Sequence, residues 1–333
     1  MVDPRTWQAL FECADEYVDA EPWLNMGDAE IFGVYDANSA RSGWGVALGQ
    51  LGENYGLGFY QELEGLYQLK QVIDSKGELF RHDFDYVATM NMLNFNWVPR
   101  NELRSFDVDI IRSVGWPTNG DERYHQFISY RPGYAPWPLD ESEARFMLRG
   151  LEAGMLMAKN LQAFKTIPSG MMPLWKFEND DWNLVIVKPD EWQPSPYEPA
   201  ELDEVTIARI KKKVVQKGTW EAGHFYQHSN IMDMERPYHL HIVALVDSES
   251  HYALPPMPVK PIDNVAQVII KVFVGSVEKE KRLPSEVVCS DHRLMQAVSP
   301  VLEKLNIKTS FSSSLPAIDD LKENMRDLFL RGK

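Results

Sequence analysis

The chain has 333 residues, 44% of them hydrophobic and 25% charged, enough for two or three globular domains with cores of their own. Its formal net charge of −15 is uneven: residues 237–333 hold 12 basic and 12 acidic side chains, whereas 1–236 hold 22 and 37. That excess of acid argues against extended contact with nucleic acid, whose affinity comes from Lys and Arg.

The longest apolar run, "VIIKVFV" at 268–274, is interrupted by Lys271 and is far too short to cross a bilayer. "MVDPRTWQAL" lacks the basic and apolar segments of a signal peptide, so cytoplasmic residence without membrane contact is expected. Cys13 and Cys289 each lie among apolar neighbours and read as buried free thiols.

Asp3 before Pro4 predicts a helix start, and Trp7, Leu10, Phe11, Ala14 and Tyr17 recur at helical spacing behind it. The stretch 30–61 alternates short apolar runs with Asp-Ala-Asn-Ser and Gly-Glu-Asn turns, which predicts an antiparallel meander. Its glycines imitate a phosphate-binding loop, but the third glycine of the dinucleotide fingerprint and the Lys-Ser/Thr of a P-loop are missing. Turns and close strand packing account for them better. A helix is expected through Leu63, Leu66, Leu69 and Val72, then strands at 87–97 and 124–131 with a helix from about 100 to 114 between them.

"SYRPGYAPWPLDESEARFM" at 129–147 is a stiff entry into a long helix, because its prolines forbid both strand and helix until Pro138 has passed. Asp140 and Glu143 have the spacing of a capping box. Tyr134 and Trp137 are the candidate binding residues of this stretch, against the competing reading that both pack on the domain. A hairpin is expected at 172–189, a polar proline-rich spacer after it, and a helix over 203–217 carrying the basic cluster "RIKKKVVQK". The shift in charge balance places a domain boundary at 236/237, with a sub-boundary within 165–200.

Beyond that boundary come "HLHIVALVD" and "HYALPPMPV" as strands and 263–277 as a mostly buried helix. "SEVVCSD" follows as a short strand, then a helix that Pro300 should kink, the strand "KTSFSS", and a last helix starting at Pro316. The expected fold is thus an α+β N-terminal region with an antiparallel meander, and a C-terminal α/β domain with a mixed sheet, ribonuclease-H-like in topology.

Two constellations are candidates for chemistry. Asp247 and Asp291 each close a predicted strand, and side by side they would resemble the carboxylates with which ribonuclease-H-like nucleases hold magnesium or manganese. The last helix argues against a third ligand: Ile318, Leu321, Met325 and Leu328 define its buried face, so Asp319, Asp320, Glu323 and Asp327 point away. The second constellation is His239 and His241, which share a strand face with Asp247 and suggest a zinc or iron site without any further fixed ligand spacing. In both cases the competing reading is structural: turn and cap for the acids, hydrogen-bonded histidines for the rest.

On "EPWLNMGDAEIFGVYD", "LGENYGLGFYQELEGL" and "RPGYAPWPLDESEARFML", the N-terminal region resembles an uncharacterised prokaryotic two-domain family with a Pro-Gly-Tyr-x-Pro-Trp-x-Leu signature. The C-terminal region resembles that family's second domain in "SEVVCSDHRLMQAVSPVLEKLNI" and the helix start "LPAIDDL", whereas 219–236 departs from the usual linker. The resemblance implies a fold and no activity. The expectation is therefore a protein that binds a protein or a small ligand, with no cofactor and no turnover. The alternatives are a divalent-metal nuclease in 237–333 and a histidine-ligated metal protein.

Overall fold

The computed structural model describes residues 2–27, 30–52, 54–117, 123–164, 166–212 and 215–331; the side chains of 163–164 and 328–331 are outside that description. The chain divides into two units, Met1–Gln193 and Pro194–Lys333. The division falls inside the expected 165–200 window. The boundary expected at 236/237 instead lies between two strands that pair over ten positions, so it cannot separate one domain from another. Charge follows the structural division: unit 1 holds 16 basic and 30 acidic residues, unit 2 holds 18 and 19.

Unit 1 opens with helix α1 (Pro4–Asp19), whose N-cap Asp3 accepts the Arg5 amide at 2.8 Å. The meander follows as β1 (Phe32–Asp36), β2 (Arg41–Leu48) and β3 (Tyr55–Gln61), then helices α2 (Glu62–Asp74), α3 (Glu78–His82) and α4 (Phe84–Ala88). Strand β4 (Met92–Pro99) starts later than expected, because Asp83 caps α4 by accepting the Tyr86 amide and holds Phe84–Ala88 in a helix. Helix α5 (Ser105–Ser113), strand β5 (Arg123–Tyr130), helix α6 (Glu141–Phe164) and the hairpin β6 (Met172–Glu178) and β7 (Asp181–Val187) complete the unit. The sheet order is β5-β4-β3-β2-β1-β6-β7, antiparallel throughout except between β1 and β6.

Helices α1 and α6 cover one face of this sheet over Phe32, Leu57, Phe59, Phe95 and Phe127, and α2 covers the other over Trp44, Val46 and Tyr60. The meander glycines make room for rings: a Cβ on Gly43 would meet the Phe59 ring at 2.6 Å, and one on Gly45 the Phe32 ring at 2.2 Å. They are packing residues and not a phosphate loop.

Unit 2 contains α7 (Glu204–Lys211), β8 (Val215–Gln216), β9 (Thr219–Ile231), β10 (Tyr238–Asp247) and β11 (Met257–Val259), then α8 (Val265–Glu280), β12 (Arg282–Leu283) and β13 (Glu286–Cys289). It ends with α9 (His292–Lys304), β14 (Lys308–Phe311) and α10 (Pro316–Arg331). The helix expected over 203–217 stops at Lys211, residues 213–214 of its basic cluster lie outside the described residues, and Val215–Gln216 pair with β12. Helix α9 runs unbroken past Pro300.

The main sheet is β11-β10-β9-β13-β14, with β9, β10 and β11 antiparallel and β13 and β14 parallel to β9. Its central strand, β9, occupies a stretch for which no strand was expected and which departs from the usual linker of the resembling family. On one face Trp220, Val243 and Leu245 pack with residues of α8 and α9; on the other Phe225, Ile242 and Ala244 pack with Leu315 and Ile318 at the start of α10.

Both cysteines are buried and free, and burial pushes each thiol up to about 12. Among the described residues no helix is long and apolar enough to cross a membrane.

Candidate functional site

Five segments converge at one end of the unit 1 sheet: the start of β2, the end of β3, the residue before β4, the turn after β5 and the first turn of α6. Together they line an open polar pocket of about 440 Å³ that includes Arg41, Gln61, Asn91, Arg131, Tyr134 and Glu143. The turn is Arg131-Pro132-Gly133-Tyr134, closed by the Tyr134 amide donating to the Arg131 carbonyl at 2.9 Å, with Gly133 at φ +81°. Proline second and a positive-φ glycine third is type II turn chemistry, which fixes Arg131 and Tyr134 at the two ends of a rigid element.

The capping box forms as expected: the Asp140 amide donates to Glu143 and the Glu143 amide to Asp140, both at 2.9 Å. Glu143 is almost fully buried, and it also accepts from the Ser129 hydroxyl at 2.6 Å and from Arg131 Nε at 2.8 Å. Asp140 pairs with the same guanidinium. Burial alone would raise the Asp140 carboxyl, but the Glu143 amide and Arg131 hold it below the usual range. Burial alone would lower Arg131, and its two carboxylate partners override that.

Arg41 is held differently. It donates to the Ser142 hydroxyl at 2.8 Å and to the Gln61 side-chain oxygen, and its guanidinium lies 4.5 Å over the Phe146 ring. Among the described residues its hydrogen-bond partners are all neutral, and burial is the largest influence on its pKa, drawing it down. Gln61 in turn donates to the Asn91 side chain at 3.0 Å, so the amide that holds Arg41 is itself fixed. Glu62, next to Gln61, has φ +59°, a strained backbone for a residue with a Cβ.

Unit 2 gathers a second polar cluster where β13 ends beside His224 of β9, at the start of α9. His241, 5% exposed, has its Nε2 3.0 Å from Nδ1 of His224. Nε2 of His224 lies 3.4 Å from the Tyr197 hydroxyl and 3.8 Å from Asp291. Asp291 accepts the Arg293 amide as N-cap of α9 and pairs with the Arg293 guanidinium at 3.0 Å. Burial pushes His241 down to about 3, with His224 adding to it, and burial likewise takes His239 to about 4. Burial alone would raise the Asp291 carboxyl; His224 and Arg293 instead hold it far below the carboxylate range.

Residues 7–173, half of the chain, match the family model described as Domain of unknown function (DUF7309). The chain belongs to that family. Residues 206–326 match a second model, Domain of unknown function (DUF6930). No curated protein matches the chain. Every pocket residue named above falls within the DUF7309 segment, and His224, His241, Asp291 and Arg293 fall within the DUF6930 segment.

Of the residues singled out from sequence, Tyr134 lines the DUF7309 pocket. Trp137 does not: its backbone pairs with Ser129 and its ring packs 5.9 Å from Phe106. Asp247 and Asp291 are not brought together. Asp247 is level with Trp220 and Asp291 lies two residues past the Cys289–Ala222 pair, an offset of about 13 Å along the strands with β9 between them. Each acid works locally instead, Asp291 as the cap and Asp247 accepting the Ser250 amide and hydroxyl at 2.9 and 2.8 Å while pairing with Arg282.

His239 binds the Asn230 side chain at 2.9 Å, and Asp247 lies six residues beyond His241, about 20 Å along β10, too far to share an ion with it. Asp319, Asp320, Glu323 and Asp327 are exposed on α10, whereas Ile318 is buried and Leu321 and Met325 are half-buried; the Leu328 side chain lies outside the described ones. Among the described residues no group of three or more His, Cys, Asp or Glu side chains is placed to hold a metal ion.

Sequence reasoning passed over Arg41 and took Asp140 and Glu143 as a cap alone. The available signal was a single arginine opening a strand otherwise made of apolar and small residues, "RSGWGVAL".

Proposed function

We propose that the protein acts by binding, and that the unit 1 pocket takes a small zwitterion of the free amino acid class. Arg41 carries the reading: a half-buried guanidinium, held in place by neutral acceptors, retains unused donors that match a carboxylate. The rest of the lining supports a ligand with no net charge, because Arg41 and Arg131 are balanced by Asp140 and Glu143. A ligand carboxylate on Arg41 leaves its ammonium to face Asp140, with the Tyr134 ring beside it. Cytosolic residence and the absence of extended nucleic-acid contact belong to the same proposal, supported by the acidic excess of unit 1. The strand order of unit 2 supports a ribonuclease-H-like topology for that unit, with no activity attached.

Thermal unfolding across the free amino acids, with acetate and methylamine as controls, tests the reading. At a hundredfold excess over Kd a true ligand adds about 2.7 kcal/mol, which raises the unit 1 Tm by about 5–10 °C. Arg41→Met is expected to abolish that rise, and Tyr134→Ala to reduce it. A panel without any saturable rise, or one that Arg41→Met leaves intact, overturns the proposal.

A further inference from the structure

At the opposite end of β5, some 25 Å along the strand from Arg131, lies a second recess of about 530 Å³ with a different chemistry. Phe11, Trp97 and Trp116 wall it, and Asp15, Asp19 and His125 supply its polar groups. We propose that this recess binds an organic cation, a protonated amine with an aromatic or apolar body.

The first support is the end of α1. Its last turn carries Glu16 and Asp19 and no basic residue, with Asp15 just before it, although carboxylates at a helix C-terminus oppose the helix dipole. Among the described residues Asp19 makes no ion pair or hydrogen bond, so nothing in the fold offsets its placement. Asp15 and Asp19 are four residues apart on a helix and therefore neighbours on one face, a pair of acceptors for a single ammonium. A local rule broken without structural compensation is where a ligand is expected.

The second support is His125, only 5% exposed. Its Nε2 lies 3.0 Å from Asp15, and its Nδ1 is buried with no hydrogen-bond partner among the described residues. The ring sits in an aromatic shell, 5.4 Å from Phe11 and 6.1 Å from Trp116. A fold that needed only a ring there would place another phenylalanine; an imidazole with an unpaired nitrogen carries a desolvation cost that a purely structural role does not repay. His125 fixes the Asp15 carboxylate at the mouth, and the partly exposed Trp116 supplies apolar wall for the body of the ligand, whereas Phe11 is buried and the Trp97 ring already carries the Arg123 guanidinium at 5.5 Å.

The third support is Arg123, the one Lys or Arg side chain among the described lining residues. Its guanidinium is turned to the protein, donating to the Trp97 carbonyl at 2.8 Å and lying 4.8 Å over the Tyr55 ring. It is within ion-pair distance of neither aspartate. Among the described lining residues two carboxylates thus stand beside one guanidinium that pairs with neither, and Asp19 keeps its acceptors for an ammonium. A metal ion fits less well, since the walls are rings and no three-ligand group forms among the described residues.

Isothermal titration of the full chain with benzylamine, benzyl alcohol and benzoate tests this. Saturable binding of benzylamine is expected, with the alcohol about tenfold weaker or worse and no heat from benzoate. Asp19→Asn, at an exposed side chain, is expected to weaken benzylamine about fivefold and to raise the Tm of the free protein by about 1–4 °C, because it removes a carboxylate that opposes the helix dipole. Arg41→Met is expected to leave benzylamine binding as it was, which separates this recess from the first pocket. Benzylamine without saturable binding, benzyl alcohol binding as tightly, or affinity unchanged in Asp19→Asn would each overturn the proposal.

Discussion

In unit 1 Asp140 caps α6 beside Arg131, and in unit 2 Asp291 caps α9 beside Arg293, yet the two clusters differ in what they leave open. Around Asp140 the carboxylates satisfy one guanidinium, while a second, Arg41, is held by neutral groups over a pocket. Around Asp291 each charge meets a partner: Arg293 spans Asp291 and Tyr197, and His224 reaches Tyr197 on one side and His241 on the other. A polar cluster with unused donors beside free volume is built to receive a ligand. A hydrogen-bond chain whose charges are already partnered stabilises its own fold and responds to pH.

The largest effect expected from this contrast is in the buried side of the first cluster. Glu143→Ala removes the acceptor of the Ser129 hydroxyl, the Arg131 guanidinium and the Asp140 amide together. Breaking a buried pair from one side costs about 3 kcal/mol, so the unit 1 transition should fall by about 10 °C in calorimetry. A loss under about 1 kcal/mol would mean that the cluster is solvated and the pocket not preorganised.

A smaller effect separates the units by pH. His241 and His239 are held down to about 3 and about 4, so as pH falls the unfolded chain takes up protons that the folded unit refuses. Their contribution is complete above the ordinary imidazole value near 6.5 and is lost as pH falls from there toward 4. The depressed Asp291 carboxyl adds a loss of the same sign below the ordinary carboxylate range. Hydrogen exchange of the β9 and β10 amides at pH 7 and pH 4.5 should show unit 2 destabilised on the order of 1–3 kcal/mol. His241→Phe should flatten that dependence, and a slope unchanged in the variant would assign the titration to other groups.

What was legible in the chain follows from where each signal resides. Helix α1, the meander, α2, the capping box and the β6–β7 hairpin are specified by neighbours within a few residues, and all were read. Strand β9 was not, because its partners come from elsewhere. Glu221, which looks wrong for a central strand, accepts the Ala317 and Ile318 amides at the start of α10 at 2.9 and 3.0 Å, and His224 pairs across to His241. With those partners invisible, "TWEAGHFYQHSNI" gives no clear strand pattern and no element was expected there. The pocket was hidden for the same reason: Arg41, Gln61 and Glu143 are far apart in the chain, and only the sheet brings them to one end. Tyr134 was found because its proline and glycine neighbours mark a turn locally.

The smallest effect concerns the outer face of α10. Glu323 is exposed there, so Glu323→Ala should change stability by no more than about 0.5 kcal/mol. Magnesium or manganese should leave the Tm of both wild type and variant where it was, since Asp247 and Asp291 stand on either side of β9 at different levels. A carboxylate that completed a metal centre would behave otherwise: ion binding raises Tm by mass action, and removing one ligand abolishes the rise. A shift of several degrees on adding either ion, lost in both Glu323→Ala and Asp291→Asn, would require α10 to turn its acids toward the sheet. The buried Ile318 and the capping of the α10 N-terminus by Glu221 oppose that rotation together, because turning the helix would expose the one and break the other.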